Sequence, residues 1–118
     1  MSTAADPLAA RPTTPPTRLA VQRAGAVVTI VLSGQLDAHG GVELLAGLQA
    51  EVERADRIDI DLRSLSSWTP EGARSLRRAR SMSGRLSDGL HFRTGPGAGQ
   101  DALLDAFADD TTAGDTPT

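Results

Sequence analysis

The spacing of apolar residues changes period several times along the chain. Leu19 and Val21 alternate with smaller or polar neighbours, Gly25-Ala26 interrupts, and Val27-Val-Thr-Ile-Val-Leu32 follows as a β-branched run. This pattern predicts a short first strand, a turn and a strand of central type, paired as a hairpin. Gly34-Gln-Leu-Asp37 ends the second strand. From about Gly40 to Arg54 the spacing turns helical, with Val42, Leu45, Leu48 and Val52 on one stripe and Leu44 alongside. Arg57 to Leu62 alternates again, placing Ile58, Ile60 and Leu62 on one face of a strand. A second helix is predicted from Pro70 to about Arg85, with Gly84 fraying its end. Leu90 to Thr94 reads as a last strand, and a final helix, Asp101 to Phe107, follows the glycine-rich Gly95 to Gly99. The order is therefore β-β-α-β-α-β-α. It predicts an α/β fold with a small mixed β-sheet, parallel strands joined by right-handed crossovers, and helices packed against the sheet.

The two ends read differently. Residues 1–17 are rich in Ala, Pro and Thr, and residues 109–118 hold no apolar side chain larger than Ala. Neither can bury enough apolar surface to offset the entropy of ordering, so both are expected to be disordered tails around a single domain at 18–108. A chain of 118 residues accommodates one core of this kind and not two. With one Trp, two Phe and no Tyr, that core must be built from Leu, Val, Ile and Ala. The absence of cysteine removes disulfides, thiolate metal sites and a cysteine nucleophile, and is compatible with a cytoplasmic location. All 12 basic residues are arginine, which reads mainly as a GC-rich coding bias. A net charge of −3 gives no expectation of nucleic-acid binding. No apolar run approaches the ~20 residues of a membrane span, and the N-terminus has no apolar signal region.

One segment carries more information than the rest. Ile58-Asp-Ile-Asp-Leu62 is followed by Ser66-Ser-Trp-Thr-Pro-Glu-Gly72, which reads as a buried strand, a short loop and a helix opening. Pro70 suits the first helical position because its φ is already helical and it leaves no N–H unpaired. Thr69 then falls at the N-cap, where its hydroxyl can accept from an orphan N–H. This pattern resembles the centre of a STAS domain, the fold of bacterial anti-sigma factor antagonists. There a V-V-L-D-L strand ends in an F-I-D-S-S-G loop from which a helix begins. Asp61-Leu62 and Gly72 match, whereas Thr69-Pro70-Glu71 stands where the family has Asp-Ser-Ser. The resemblance extends to Val27–Asp37, similar to a strand ending in G-x-L-D, and to Thr94-Gly-Pro with Leu103-Leu104, similar to the last loop and helix. It implies that this loop carries the phosphate-accepting serine and is the docking place for an anti-sigma factor with a kinase-like fold. In this chain Pro70 occupies the acceptor position, so switching there is expected to be lost.

Candidate functional residues follow from the same region. Glu71 adds a negative charge to the first turn of the helix, where it complements the dipole or loosely mimics a phosphorylated loop. Asp37, at the end of a parallel strand, should lie near Thr69; it caps the next helix, contributes to the docking surface, or both. Arg74, Arg77, Arg78 and Arg85 fall within a ~100° arc of the second helix, opposite Leu76, Ala79 and Leu86. They form either a solvated face or a stripe suited to an acidic partner. Trp68 is an interface anchor or a cap on the core. Candidate phosphorylation sites are Thr69 and, within Arg77-Arg-Ala-Arg-Ser81, Ser81; Ser66 and Ser67 are weaker ones. The loop Gly95–Gly99 lacks the Lys-Ser/Thr of a phosphate loop, and Pro96 removes a donor. His39, His91, Asp59 and Asp61 assemble no metal set, and no nucleophile, base and acid come together. No catalytic residue, metal or other cofactor is therefore expected. The partner-binding set is Asp37, Trp68, Thr69, Pro70, Glu71, Gly72, Arg74, Arg77 and Arg78. The function expected is that of a non-enzymatic module, monomeric or weakly dimeric, that docks a protein partner without nucleic acid or membrane insertion. A structural or regulatory STAS subunit of a transporter or stress-signalling assembly is the alternative.

Overall fold

The structure, a computed structural model, describes residues 16–108. The elements are β1 (Arg18–Ala24), β2 (Val27–Leu36), α1 (Ala38–Val52), β3 (Arg57–Trp68), α2 (Pro70–Arg80), a 3-10 turn (Ser83–Arg85), β4 (Gly89–Arg93) and α3 (Ala98–Ala106). They form one sheet in the order β1-β2-β3-β4. β1 and β2 pair antiparallel, from Arg18 with Ser33 to Ala24 with Val27, around Gly25 at φ 64°. β2 with β3 and β3 with β4 pair parallel. The mixed α/β architecture read from the periodicity is the one observed. The tails expected at 1–17 and 109–118 lie outside the described residues except for Pro16 and Thr17. The Thr17 hydroxyl donates to the Gln35 carbonyl.

Each crossover advances one strand in the same direction, so crossovers of one hand place their helices on one face. Val28, Ile30 and Leu32 of β2 and Ile58, Ile60 and Leu62 of β3 line that face and are buried with Leu44, Leu48, Leu76, Ala79 and Ala102 of the helices. The two phenylalanines meet edge to face, Phe92 against Phe107, at 6.3 Å between centroids. At the far end of the core, Arg23 of β1 forms an ion pair with Glu51 of α1. The hydrogen bond from Arg23 holds the Glu51 carboxyl below its ordinary range, against the opposing effect of burial.

The opposite face of β3 is polar yet buried. Asp59 is 1% exposed and accepts from Arg57 (2.8 Å) and Arg93 (3.0 Å). Asp61 accepts from the backbone and guanidinium of Arg63, and the guanidinium hydrogen bond lowers its pKa. Covering carboxylates with guanidinium groups lets the central strand keep two aspartates without leaving a charge unpaired. Asp59 and Asp61 are thus absorbed by arginines; among the described residues no cluster of His, Asp and Glu suits a metal.

Several boundaries differ from the sequence expectation. β3 continues through residues 63–68, read above as loop, because its backbone pairs with Ser33–Leu36 across two register shifts. Its polar side chains concealed a strand that backbone pairing sustains. α1 begins two residues early, at Ala38, because Asp37 caps it. α2 stops at Arg80, and its chain tightens into the 3-10 turn, so Arg85 leaves the arginine stripe and pairs with Glu53 at 2.5 Å. α3 begins at Ala98, behind Gly97 at φ 130°. The core stripe of α1 is also rotated: Val42 is 67% exposed, while Gly41 and Leu44 are buried. Gly41 lies so close to Ser75 of α2 that a Cβ would overlap the Ser75 side chain.

This helix contact depends on small residues, and Gly41→Ala should lower stability by roughly 1–3 kcal/mol through overpacking. Adding Ser75→Gly should recover more than half of that loss, a coupling that independent sites would not show. Urea denaturation of the two single variants and the double variant checks it.

Candidate functional site

The site grows from the carboxyl ends of two neighbouring parallel strands. Leu36 and Trp68 are the last pair in the register of β2 and β3. The next residue of each strand, Asp37 and Thr69, is the N-cap of the helix that follows. The Asp37 carboxylate accepts from the Gly40 N–H at 2.8 Å, and the Thr69 hydroxyl accepts from the Gly72 N–H at 3.2 Å. A cross-link joins the two caps: the Thr69 N–H donates to the Leu36 carbonyl at 2.9 Å. Gly72 sits over that same carbonyl, and a Cβ there would collide with it. The starts of α1 and α2 therefore emerge side by side, with their first turns fixed to each other through backbone.

This arrangement brings most of the predicted residues together. Asp37 and Thr69 are half-buried, Pro70 is the first residue of α2, and Glu71 is exposed one position on. Glu71 is the acidic residue of the first turn, the position at which a carboxylate complements the helix dipole. Arg74, Arg77 and Arg78 follow on the exposed face of α2, while Leu76 and Ala79 are buried beneath. Trp68 is half-buried and packs against the core, so it closes the core at the edge of the site.

α2 forms a ridge between two depressions. A groove of about 220 Å³ separates it from α1 and is lined by Ala38, Val42, Leu45, Glu71, Arg74, Ser75 and Arg78. A cleft of about 630 Å³ lies on the other side, between α2 and α3, lined by Pro70, Arg74, Arg77, Arg78, Ser81 and Asp105 with Ala106 and Ala108. Arg74 and Arg78 reach both. The contributions of Val42, Leu45 and Asp105 were not read from the sequence. Val42 and Leu45 were visible only as apolar residues at helical spacing, and the rotation of α1 that turns Val42 outward depends on the contact between Gly41 and Ser75.

The hydroxyl groups differ in what phosphorylation would require. The Thr69 hydroxyl is engaged as the cap of α2, so modifying it would disturb the helix start. Ser81 is exposed at the end of α2, with its hydroxyl donating to the Arg78 carbonyl. Ser66 is exposed, whereas the Ser67 hydroxyl is buried without a hydrogen-bond partner. The glycine-rich loop serves packing: Gly99 approaches Leu62 so closely that a side chain would overlap it. His39 faces Glu43 one turn on, and His91 contacts the Asp88 carbonyl.

No protein-family model and no curated protein matches the sequence. Solved structures do match in shape. An anti-sigma factor antagonist from Mycobacterium paratuberculosis superposes with a TM-score of 0.62 at 19% identity, over 82% of this chain and 82% of that one. The Bacillus cell fate determinant SpoIIAA in its phosphorylated form gives 0.58 at 15% identity, over 74% of this chain and 80% of that one. An antisigma-factor antagonist STAS domain from Rhodobacter sphaeroides gives 0.50 at 19% identity, over 77% of this chain and 92% of that one. The chain therefore has the fold of the anti-sigma factor antagonist STAS domains, as the strand, loop and helix pattern implied. Among the described residues no helix is long and apolar enough to cross a membrane.

Replacing Thr69 by alanine removes the cap that orients the start of α2. It should cost about 1 kcal/mol of stability, with Thr69→Ser close to wild type. Thermal unfolding of the two variants, followed by circular dichroism, measures this directly.

Proposed function

We propose that this chain is a non-enzymatic binding module of the anti-sigma factor antagonist kind, docking reversibly to an anti-sigma factor with a kinase-like fold. The docking surface comprises Asp37, Trp68 and the loop Thr69–Gly72, extended along α2 by Arg74, Arg77 and Arg78. The observation that carries this reading is the cross-linked pair of helix caps. It presents an exposed, charged ridge on a rigid base, and rigidity reduces the entropy lost on binding.

The usual switch is absent in this reading. The acceptor position is Pro70, which has no hydroxyl, and the adjacent Thr69 hydroxyl is committed to capping. Control would then rest on expression level, on competition with a switchable homologue, or on modification elsewhere, with Ser81 the accessible hydroxyl beside the ridge. Glu71 supplies a permanent negative charge close to the place where the resemblance implies a phosphate, one residue further along. A structural subunit of a larger assembly would expose a contiguous apolar face. The exposed large apolar side chains among the described residues are Val42 and Leu104, on different helices, which favours reversible docking.

Affinity capture from the native host with wild-type protein and Glu71→Arg, read by mass spectrometry, tests the proposal. The wild type should recover a kinase-like anti-sigma factor and the variant should lose it. Recovery of the same scaffold or transporter subunits by both proteins would instead make the chain a structural component.

A further inference from the structure

We propose that Ser81 is a phosphorylation site whose phosphate is held by Arg74 and Arg78 on the α2 wall of the cleft, cancelling the charge of the ridge. Its effect on partner binding rests on the docking reading above; the modification and the arginine clamp do not.

The groups concerned share one face of one helix. Ser81 follows Arg74, Arg77 and Arg78 at seven, four and three residues, intervals that return to the same side of an α-helix. All of them are exposed, and all line the cleft of about 630 Å³ between α2 and α3. Among the described residues, neither Arg74 nor Arg78 is in an ion pair. Arginines placed in this way before a serine suit an arginine-directed Ser/Thr kinase, and they stay in place to pair with the phosphate afterwards. Asp105 on the α3 wall opposes it, one carboxylate against the guanidinium groups of α2.

Other serines near arginines lack this combination. Ser64 and Ser66 are exposed, but they follow Arg63, whose guanidinium is committed to Asp61 at 2.7 Å. The Ser83 hydroxyl accepts from the Leu90 N–H, and Ser87 follows Arg85, which pairs with Glu53. Ser75 is buried. The Ser81 hydroxyl donates to the Arg78 carbonyl, yet the helix end does not depend on it, because the Ser81 N–H donates to that carbonyl at 3.1 Å. A phosphate here meets the negative end of the helix dipole, which is a partial charge. Each guanidinium carries a full charge and can donate directly to the phosphate oxygens.

The step moves the γ-phosphoryl group of a nucleoside triphosphate onto Oγ of Ser81. The bond from phosphorus to the nucleoside diphosphate breaks, an O–P bond forms, and the hydroxyl proton passes to the base of the kinase. Ser81 follows the 11 residues of α2, ~16 Å along the axis from the helix start, so it is the substrate of a kinase other than the partner docked over that start. The phosphate adds a charge of about −1.5 to −2, enough to offset Arg74 and Arg78. A partner holding the ridge through acidic groups would be released. The ridge would thereby regain a switch, at the opposite end of α2 from Pro70.

Phosphorus NMR of the full-length chain carrying phosphoserine at position 81 tests the clamp without any partner. Paired guanidinium groups favour the dianion, so its second ionisation should fall about 0.5 pH unit or more below the ordinary value of about 6. Arg74→Gln with Arg78→Gln should return it at least halfway, and an ionisation unmoved by those substitutions would overturn the proposal. Phosphopeptide mapping of the chain purified from its native host should find phosphate on Ser81 and lose it in Ser81→Ala. Absence of phosphate from Ser81 through growth and stress would also overturn it. The phosphoserine chain should bind the kinase-like partner about fivefold or more weakly than the unmodified chain. Equal binding would overturn the switch and leave docking intact. Failure of the unmodified chain to bind would sink the docking reading instead, with the titration and the mapping still deciding the site.

Discussion

The hydrogen bond from the Thr69 N–H to the Leu36 carbonyl holds together the end of the molecule that carries the candidate site. Parallel strands ordinarily diverge into their connections, and each helix that follows can choose its own angle. Here the chain pairs one residue beyond the last strand partners, and Gly72 lets the first turn of α2 rest on the same carbonyl. The caps on Asp37 and Thr69 are consequently not independent. A change at either would tilt one helix start relative to the other, and with it the groove between α1 and α2. The exposed charges of Glu71, Arg74 and Arg78 derive their fixed spacing from this backbone geometry.

The same economy of volume recurs further from the site. With few aromatics, the core cannot fill space between distant elements, so the elements approach closely at small residues: Gly41 on Ser75, Gly72 on Leu36 and Gly99 on Leu62. Each contact lets backbone or short side chains meet where a larger residue would force a gap. The charged side of the sheet follows another logic. Asp59 and Asp61 are kept out of the core by strand alternation and covered by Arg57, Arg63 and Arg93. The arginine-only basic composition matters there, because the planar guanidinium can satisfy both oxygens of the Asp61 carboxylate at once.

Much of this was legible in the sequence. The β-branched run at 27–32, the alternation at 58–62 and the helical spacing after Gly40 located the elements, and Thr69-Pro70 marked a helix start that the structure places at the same residues. What stayed hidden was decided by contacts between distant segments. The second half of β3 is polar, and only pairing with residues 33–36 makes it a strand. The outward turn of Val42 follows from Gly41 seeking Ser75, which lies 34 positions away in sequence. Arg85 was assigned to the stripe by helical period alone, and the early end of α2 removed it. Of the candidate site, the residue types were readable from local pattern. Their assembly into a ridge with a groove on one side and a cleft on the other was not, because Leu45 and Asp105 enter from other helices.

In the proposed reading, the charged ridge with Pro70 at the acceptor position is a docking surface without its own switch at that position. The most direct test is to titrate isotopically labelled protein with the kinase-like partner recovered from the host and to follow amide shifts, in the absence and presence of ATP and magnesium. The account predicts that shifts concentrate at Asp37 and residues 68–78, and that the complex persists with ATP while the mass of the chain stays constant. Shifts confined to β1 and the aspartate-bearing face of the sheet, or a phosphate-sized mass gain at Thr69 accompanied by release, would contradict it.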